Sequence, residues 1–416
     1  MGHLSGKDLY RKLGKKIDGL AIRAPWNKKL YAVLKELYTP EEAEVIVNMP
    51  YKLSNIDRIV KNVRFEKPHL QKLLDSLSSK GLLMDLNIRG EYYYMISPMI
   101  IGIFEYTMMR TGENLNSKEW ARLLNDYMEG DDSFFRSNFG KGQQFSPMRA
   151  IPHEETLKDE FVEILDYEKA SYIIDRAKKY AVGICSCRHE KHHLGQKECD
   201  IPLEKCSSYG RAADFLVSHD MAKEVSKEEM LDNLEHSKEN KLVLCADNVK
   251  QNISFMCQCC DCCCNVLLGI SKFGFPNVVV SSSFIAESDG DSCSGCGDCA
   301  EICPVNAIKM NENDDPVVDK EFCLGCGVCA LECDTGAMEL VKREQRVIHP
   351  ENTFERVMMQ SLERGNLQNL LFDDPKSLSH KFMRGFVGGF LRLPPVKKAM
   401  MKKEFSSRFL GGKHAH

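Results

Sequence analysis

The chain has 416 residues, 43% hydrophobic and 28% charged, with a formal net charge of −4 and nineteen cysteines. That length leaves room for two or three cores, the composition is that of an ordinary globular protein, and a charge so near neutral singles out no partner class. No stretch approaches 18 uninterrupted apolar residues, which excludes a membrane-spanning helix. The start, Met-Gly-His-Leu-Ser-Gly-Lys, has no apolar signal-peptide core, and Gly6 stands where a myristoylation motif needs Ser or Thr.

Residues 1–26 form a basic arm, irregular or a short helix, carrying Lys7, Arg11, Lys12, Lys15, Lys16 and Arg23. From Asn27 a helical period sets in, with Leu30, Val33, Leu34 and Leu37 on one face. Thr39-Pro40-Glu41-Glu42 caps and opens a second helix. A third is expected over Asn55 to Val63, and a fourth from Pro68, with Leu70, Leu73, Leu74 and Leu77, to Gly81. Leu82 to Leu86 then alternates, Arg89-Gly90 turns, and Tyr92 to Ile96 returns as a second strand.

Helices followed by such a hairpin resemble a winged helix-turn-helix domain over residues 27–110. The resemblance makes the fourth helix the recognition helix, offering Lys67, His69, Gln71, Lys72 and Lys80, with Arg58, Lys61 and Arg64 nearby. DNA binding needs such a phosphate-contacting footprint. Glu66, Asp57, Asp75 and Asp85 interleave with these cations, however, and the same fold serves protein docking. Docking or a plain scaffold role is the expectation; DNA binding is the alternative.

Residues 111–164 are a charged helical linker, with a helix from Ser117, a loop over 138–143 and an extended segment over 149–154. A Cys-rich, mixed α/β domain is expected over residues 165–283. Its first helix covers Tyr167 to Tyr180, and Ala181 to Ile184 then delivers Cys185 and Cys187; Cys199 and Cys206 follow. Six cysteines fill eight positions in the run Cys257, Cys259, Cys260, Cys262, Cys263 and Cys264. No structural role explains that density. If the run is helical, Cys259 and Cys263 share one face. Soft thiolates select iron–sulfur clusters or zinc. Cys185, Cys187, Cys199 and Cys206 are the set expected to hold one centre, and residues 257–264 a second. One or two further iron–sulfur clusters are the expectation, zinc the alternative, and a fused cluster across both groups stays open. Cys245, on an apolar strand, reads as a buried thiol. Arg188 to His193 reads as a solvated charged loop, with anion binding or iron ligation the sharper alternative. A helix over 210–221, a capping box at Ser226 and a strand over 275–280 complete the domain.

Residues 284–345 carry the clearest pattern. Cys293, Cys296, Cys299 and Cys303 are spaced C-x2-C-x2-C-x3-C with Pro304 after them, and Cys323, Cys326, Cys329 and Cys333 repeat that spacing 30 residues on. Zinc sites use paired C-x2-C knuckles rather than tandem four-cysteine runs. The fourth cysteine of such a run ligates the other cluster. Cys293, Cys296, Cys299 and Cys333 are therefore expected to hold one 4Fe–4S cluster, and Cys323, Cys326, Cys329 and Cys303 the second. The repeat resembles the bacterial dicluster ferredoxin family over residues 284–342, which implies a ferredoxin-like βαββαβ module. Asp334 replaces the family's second proline, a change that could shift one cluster's potential.

Taken with the Cys-Ser-Cys-Arg-His start and the Cys-rich run, residues 165–342 resemble multi-domain 4Fe–4S binding proteins of strict anaerobes. That resemblance implies electron transfer beside a redox enzyme and assigns no catalytic residue. The oxygen sensitivity of so many thiolate-held clusters suggests an anaerobe's cytoplasm.

The tail, residues 346–416, is helical and basic. From Lys376 to His416 there are ten Lys or Arg and one acid, Glu404, a net of +9. Phe382, Phe386 and Phe390 recur at i+4, and Met401, Phe405 and Phe409 resume the pattern after Pro394-Pro395. Such a helix suits a protein partner, its own core, or the anionic inner face of a membrane. The whole is expected to be an α+β multi-domain protein relaying low-potential electrons and docked to a redox-enzyme partner. The other classes are a cluster-sensing winged-helix regulator and an enzyme with an open iron in the middle domain. No Walker, Rossmann or flavin fingerprint is present.

Overall fold

The computed structural model describes residues 2–140, 143–157, 166–344, 349–391, 393, 395–396 and 400. The chain is mixed α and β, with several small sheets. It forms two compact units, Met1–Asn138 with Phe354–His416, and Phe139–Thr353.

In the first unit the expected basic arm is a 17-residue helix, α1 (Gly2–Asp18), because Tyr10, Leu13 and Ile17 recur on one face and are buried. Lys16 joins them, its ammonium 3.7 Å from the centroid of the Tyr51 ring. Asn27 caps α2 (Lys28–Leu37), and Thr39 and Glu42 form a capping box on α3 (Pro40–Asn48). Strand β1 (Ser54–Asn55) leads into α4 (Ile56–Ile59), a single turn where a longer helix is expected. Then come α5 (Lys67–Ser79), β2 (Leu83–Ile88) and β3 (Glu91–Ile96), paired in the order β1-β3-β2. Arg89 and Gly90 both have positive φ, 56° and 89°, as a tight two-residue hairpin turn requires. The cations around α5 are largely matched by acids. Lys67 pairs with Asp57 at 2.6 Å, Lys80 with buried Glu42 at 2.7 Å and Arg64 with Glu44 at 2.8 Å. His69 lies 3.2 Å from Glu41, and Arg58 2.9 Å from Asp373. Helices α6 (Phe104–Met109), α7 (Ser117–Glu129) and α8 (Ser133–Phe139) follow.

The second unit is built on a six-stranded antiparallel sheet. Its strands are β4 (Met148–Ile151), β5 (Tyr180–Ile184), β6 (Glu204–Tyr209), β7 (Ala222–Val225), β8 (Val243–Asp247) and β9 (Phe255–Cys259), in the order β4-β8-β9-β6-β5-β7. The segment read as an extended linker thus supplies β4, an edge strand. Helices α9 (Ala170–Arg176), α10 (Ser186–Leu194), α11 (Gly210–Ser218), α12 (Lys227–Glu239) and α13 (Asn265–Ser271) connect and flank the strands. The strand expected over 275–280 is instead a 3-10 turn, Pro276–Val278, with a single bridge from Val280 to Arg149.

The cysteine runs follow as β10 (Phe284–Ser288), α14 (Asp298–Glu301), β11 (Ile308–Met310), β12 (Pro316–Val318), α15 (Val328–Glu332) and β13 (Met338–Lys342). The order is βαββαβ, paired as two two-stranded sheets, β10 with β13 and β11 with β12.

The chain ends the first unit with α16 (Thr353–Glu363), α17 (Leu367–Leu371) and α18 (Leu378–Leu391). Leu391 packs with Leu362 and Leu367, while Phe382, Phe386 and Phe390 are 70%, 67% and 55% exposed. Met401, Phe405 and Phe409 lie outside the described residues. Among those described, no helix is long and apolar enough to cross a membrane.

Candidate metal centres

Each cysteine run bends through two left-handed glycines, Gly295 and Gly297 in the first and Gly325 and Gly327 in the second, with φ between 64° and 88°. Those bends turn the thiols inward around two cavities. One, about 330 Å³ and partly open to solvent, is lined by Cys323, Cys326 and Cys329 of the second run with Cys303 of the first. The other, about 300 Å³, is lined by Cys293, Cys296 and Cys299 with Cys333. Four thiols converging on one space from two separate runs fit an iron–sulfur group. The first cavity is the drier: Cys323, Cys326 and Cys329 are buried, whereas Cys296 is exposed. Burial pushes the Cys303, Cys326 and Cys329 thiols up. Burial also opposes ionisation of Cys333, but hydrogen bonds from Thr335 and from the Met338 and Ala337 backbone hold its thiol below the ordinary value. Ala307 N–H donates to Cys303 Sγ at 3.2 Å and Met338 N–H to Cys333 Sγ at 3.4 Å.

Residues 292–337 match the family of the 4Fe–4S dicluster domain. The chain is an iron–sulfur protein. No curated protein and no solved structure matches it. Beyond the dicluster domain, the remaining eleven cysteines, nineteen less eight, are arranged by the six-stranded sheet. The run 257–264 is not helical. β9 runs to Cys259, residues 261–263 turn, and Cys264 begins α13. The two-residue period of a strand then sorts the side chains. Met256 joins Leu244, Ala246, Ile151 and Tyr209 on an apolar face covered by Ile173 and Ile174 of α9 and Met230 of α12. Cys257 and Cys259 take the other face, with Cys245 directly across from Cys257. The register of β6 with β9 puts Cys206 beside them, within interaction range of Cys257. Cys185 and Cys264 sit at the N-termini of α10 and α13, and Cys187 in the first turn of α10 lies against both. These seven form one contiguous set that includes Cys245. That residue reads as a lone buried thiol because its strand is apolar on both sides.

The four others gather separately. The Sγ atoms of Cys199, Cys260, Cys262 and Cys263 all lie within 4.8 Å of one another. The structure therefore divides the foursome Cys185, Cys187, Cys199 and Cys206, placing Cys199 with the 260–263 turn. The neighbouring Cys263 thiol holds the Cys260 thiol below its ordinary value, while the Cys263 thiol itself is raised.

Between the two sets lies Arg188. Its segment is the helix α10, closed by left-handed Gly195, and not a solvated loop: Arg188, His189, Glu190 and Lys191 are all buried. Arg188 Nη2 donates to Gln258 O at 2.5 Å, while Nε and Nη1 are buried with no hydrogen-bond partner of ordinary geometry. Burial opposes its charge, but the sulfurs of Cys185, Cys260 and Cys259 outweigh burial and raise its pKa. A buried guanidinium facing thiols calls for anionic, metal-bound sulfur there. Asn265 donates to Glu190 at 2.7 Å, and His189 and His193 bring their Nε2 atoms to 2.9 Å. The signals for this buried helix were Gly195 as a C-cap and the i, i+4 pair of histidines, masked by the segment's high charge.

Proposed function

We propose that the chain relays low-potential single electrons through the two clusters of its dicluster domain and at least one further iron–sulfur centre, docked to a redox-enzyme partner. The observation that carries this is the make-up of the two cavities, each combining three cysteines of one run with the fourth of the other. On this reading Cys293, Cys296, Cys299 and Cys333 hold one cluster, and Cys323, Cys326, Cys329 and Cys303 the other. When bound, such clusters supply one-electron exchange. The chain's own residues set its conditions. Asp298 and Glu301 on α14 of the first run, with Asp314 against Gly295, place negative charge beside that run, which disfavours an added electron there and lowers its potential. Exposed Cys296 makes its cavity the face for exchange with a partner, and buried Cys326 makes the other the inner station.

The seven-thiol set, Cys185, Cys187, Cys206, Cys245, Cys257, Cys259 and Cys264, is proposed to hold the further cluster. Its size supports a polynuclear group. Protein docking is supported over DNA binding by the pairing of Lys67, Lys80, Arg58 and Arg64 with acids of the same unit, which leaves little free charge for phosphate.

The test is iron and acid-labile sulfide per chain on anaerobically purified protein, with EPR during reductive titration. Twelve or more irons, and a signal lost on Cys187→Ser but retained on Cys296→Ser, are expected. Eight irons with only the coupled signal of the dicluster domain would remove the further cluster. Salt-sensitive, oxidation-dependent DNA retention would favour the sensor reading instead.

A further inference from the structure

We propose that Cys199, Cys260, Cys262 and Cys263 hold a single tetrahedrally coordinated soft divalent ion without bridging sulfide, a centre of a different kind from the chain's cubanes. The evidence is spacing. Cys199 Sγ lies 3.6 Å from Cys260 Sγ and 3.9 Å from Cys263 Sγ, and Cys262 Sγ lies 3.4 Å from Cys263 Sγ. One ion with metal–sulfur bonds of about 2.3 Å places the corners of its sulfur tetrahedron ~3.8 Å apart. A box of four irons with its own sulfides pushes the cysteine sulfurs much farther out.

The chain supplies the comparison. Among the described residues no other three or more possible ligands, the eight dicluster cysteines included, bring their ligand atoms within 4.8 Å of one another. Those eight line two separate, wider-set cavities instead. The seven-thiol set is likewise absent from the close spacing. Two spacings in one protein imply two kinds of centre.

Local structure explains how four thiols meet. β9 ends at Cys259, and the turn that follows, closed by Cys264 N–H to Cys260 O at 3.2 Å, folds Cys260, Cys262 and Cys263 onto one side. Cys199 reaches them from the segment between α10 and β6, with Ile201 and Leu242 packed beside the thiols. Cys260 and Cys263 are buried, while Cys199 and Cys262 are half-buried and leave a path of entry. Four thiolates on a divalent ion carry a net charge of −2, and Arg188, with two buried N–H groups otherwise unmatched, stands beside Cys260 to offset part of it.

The position has a consequence. Leu242, which packs on Cys260 and Cys263, has its carbonyl 2.9 Å from His153 Nε2, and His153 N–H donates to Cys326 O at 3.0 Å. The site is thus linked through His153 to the loop of the inner dicluster cavity, and Cys260 directly follows Cys259 of the seven-thiol set in the chain. Zinc there is a redox-silent staple; iron there is a relay. The proposal stands on spacing and does not rest on the electron-transfer reading.

The test uses the full chain purified without oxygen, measuring zinc, iron and acid-labile sulfide for the wild type, Cys199→Ser, Cys263→Ser and Cys326→Ser. The first two substitutions are expected to remove one metal per chain and no sulfide, whereas Cys326→Ser removes iron and sulfide together. Loss of zinc identifies the staple, and loss of iron the relay. Sulfide lost with the metal in Cys263→Ser, or metal content unchanged in both variants, would overturn the proposal. Should the variants fail to fold, wild-type protein from cobalt-supplemented cells decides. One cobalt per chain with tetrahedral thiolate charge-transfer bands supports the site, and no such bands refutes it.

Discussion

Glycine-to-alanine substitutions in the two runs should separate by what surrounds each glycine, although all four share a left-handed backbone. That shared conformation costs a non-glycine residue roughly 1 kcal/mol or somewhat more. At Gly297 the added methyl meets only Met310 Cγ at 4.0 Å, so Gly297→Ala should cost little beyond this. At Gly295 it comes to 3.1 Å from Asp314 Cβ and 3.3 Å from the Asp314 carbonyl oxygen, both in an exposed turn. At Gly327 it meets Thr156 Oγ1 at 2.5 Å and Leu340 at 3.3 Å. At Gly325 it falls 2.8 Å from the Phe284 carbonyl carbon, and nearer still to that carbonyl's oxygen and Ser282 Oγ. Backbone cannot rotate away, so β10 must shift, and overpacking of this kind adds about 1–3 kcal/mol. The expected order of damage is Gly297, Gly295, Gly327, Gly325. Iron and sulfide per chain read it directly: Gly297→Ala retains the wild-type count, and Gly325→Ala loses at least one cluster's worth. Equal loss from the two variants would refute the claim that the second run is pressed against the domain while the first faces solvent.

Three further outcomes are expected. Arg188→Leu removes the guanidinium between the two thiol sets, and should lower the midpoint potential of the middle-domain cluster while leaving the dicluster EPR signals in place; an unchanged potential would deny Arg188 its electrostatic role. Burial raises the Glu105 carboxyl to about 7 from 4.5. A raised carboxylate pKa gives stability that is full below the unfolded value and lost as pH climbs through the folded one. Glu105→Gln should thus change melting little near pH 5 and stabilise at pH 8, by roughly 1–3 kcal/mol; equal effects at both pH values would contradict this. The exposed Phe382, Phe386 and Phe390, beside Lys381 and Arg384, suit an anionic bilayer surface. Wild-type protein should co-sediment with phosphatidylserine-containing vesicles. Phe386→Asp should weaken that by about tenfold or more, from the ~2 kcal/mol of one buried aromatic ring; no sedimentation of the wild type would dismiss the surface.

What could be read beforehand was what is local. The two cysteine runs declare themselves because their spacing, glycines and repeat lie within a few tens of residues. Thr39 was legible as a helix cap, and Ser226 with Glu229 as a capping box, for the same reason. The middle domain resisted because its pairings are set by sheet register. Cys199 meets Cys260 across 61 residues, and Cys245 meets Cys257 only because β8 and β9 are aligned as they are. Phe-Met-Cys-Gln-Cys alternates as a strand, but the cysteines after it also satisfy a helical period, and the turn at 261–263 decides between them. Arg188 to His193 looked solvated because charge usually is. Thiol neighbours are what make its burial tolerable.

The exchange of fourth cysteines between the two runs has a consequence for how the protein is filled. Cys303 belongs to one loop by sequence and to the other cavity by position, and Cys333 the reverse. Each loop therefore depends on its neighbour for one thiol, so loading one cavity is expected to help order the other, and emptying one to loosen both. Half-filled molecules should be scarce during maturation, and a delivery machinery that met this chain would find it either bare or complete.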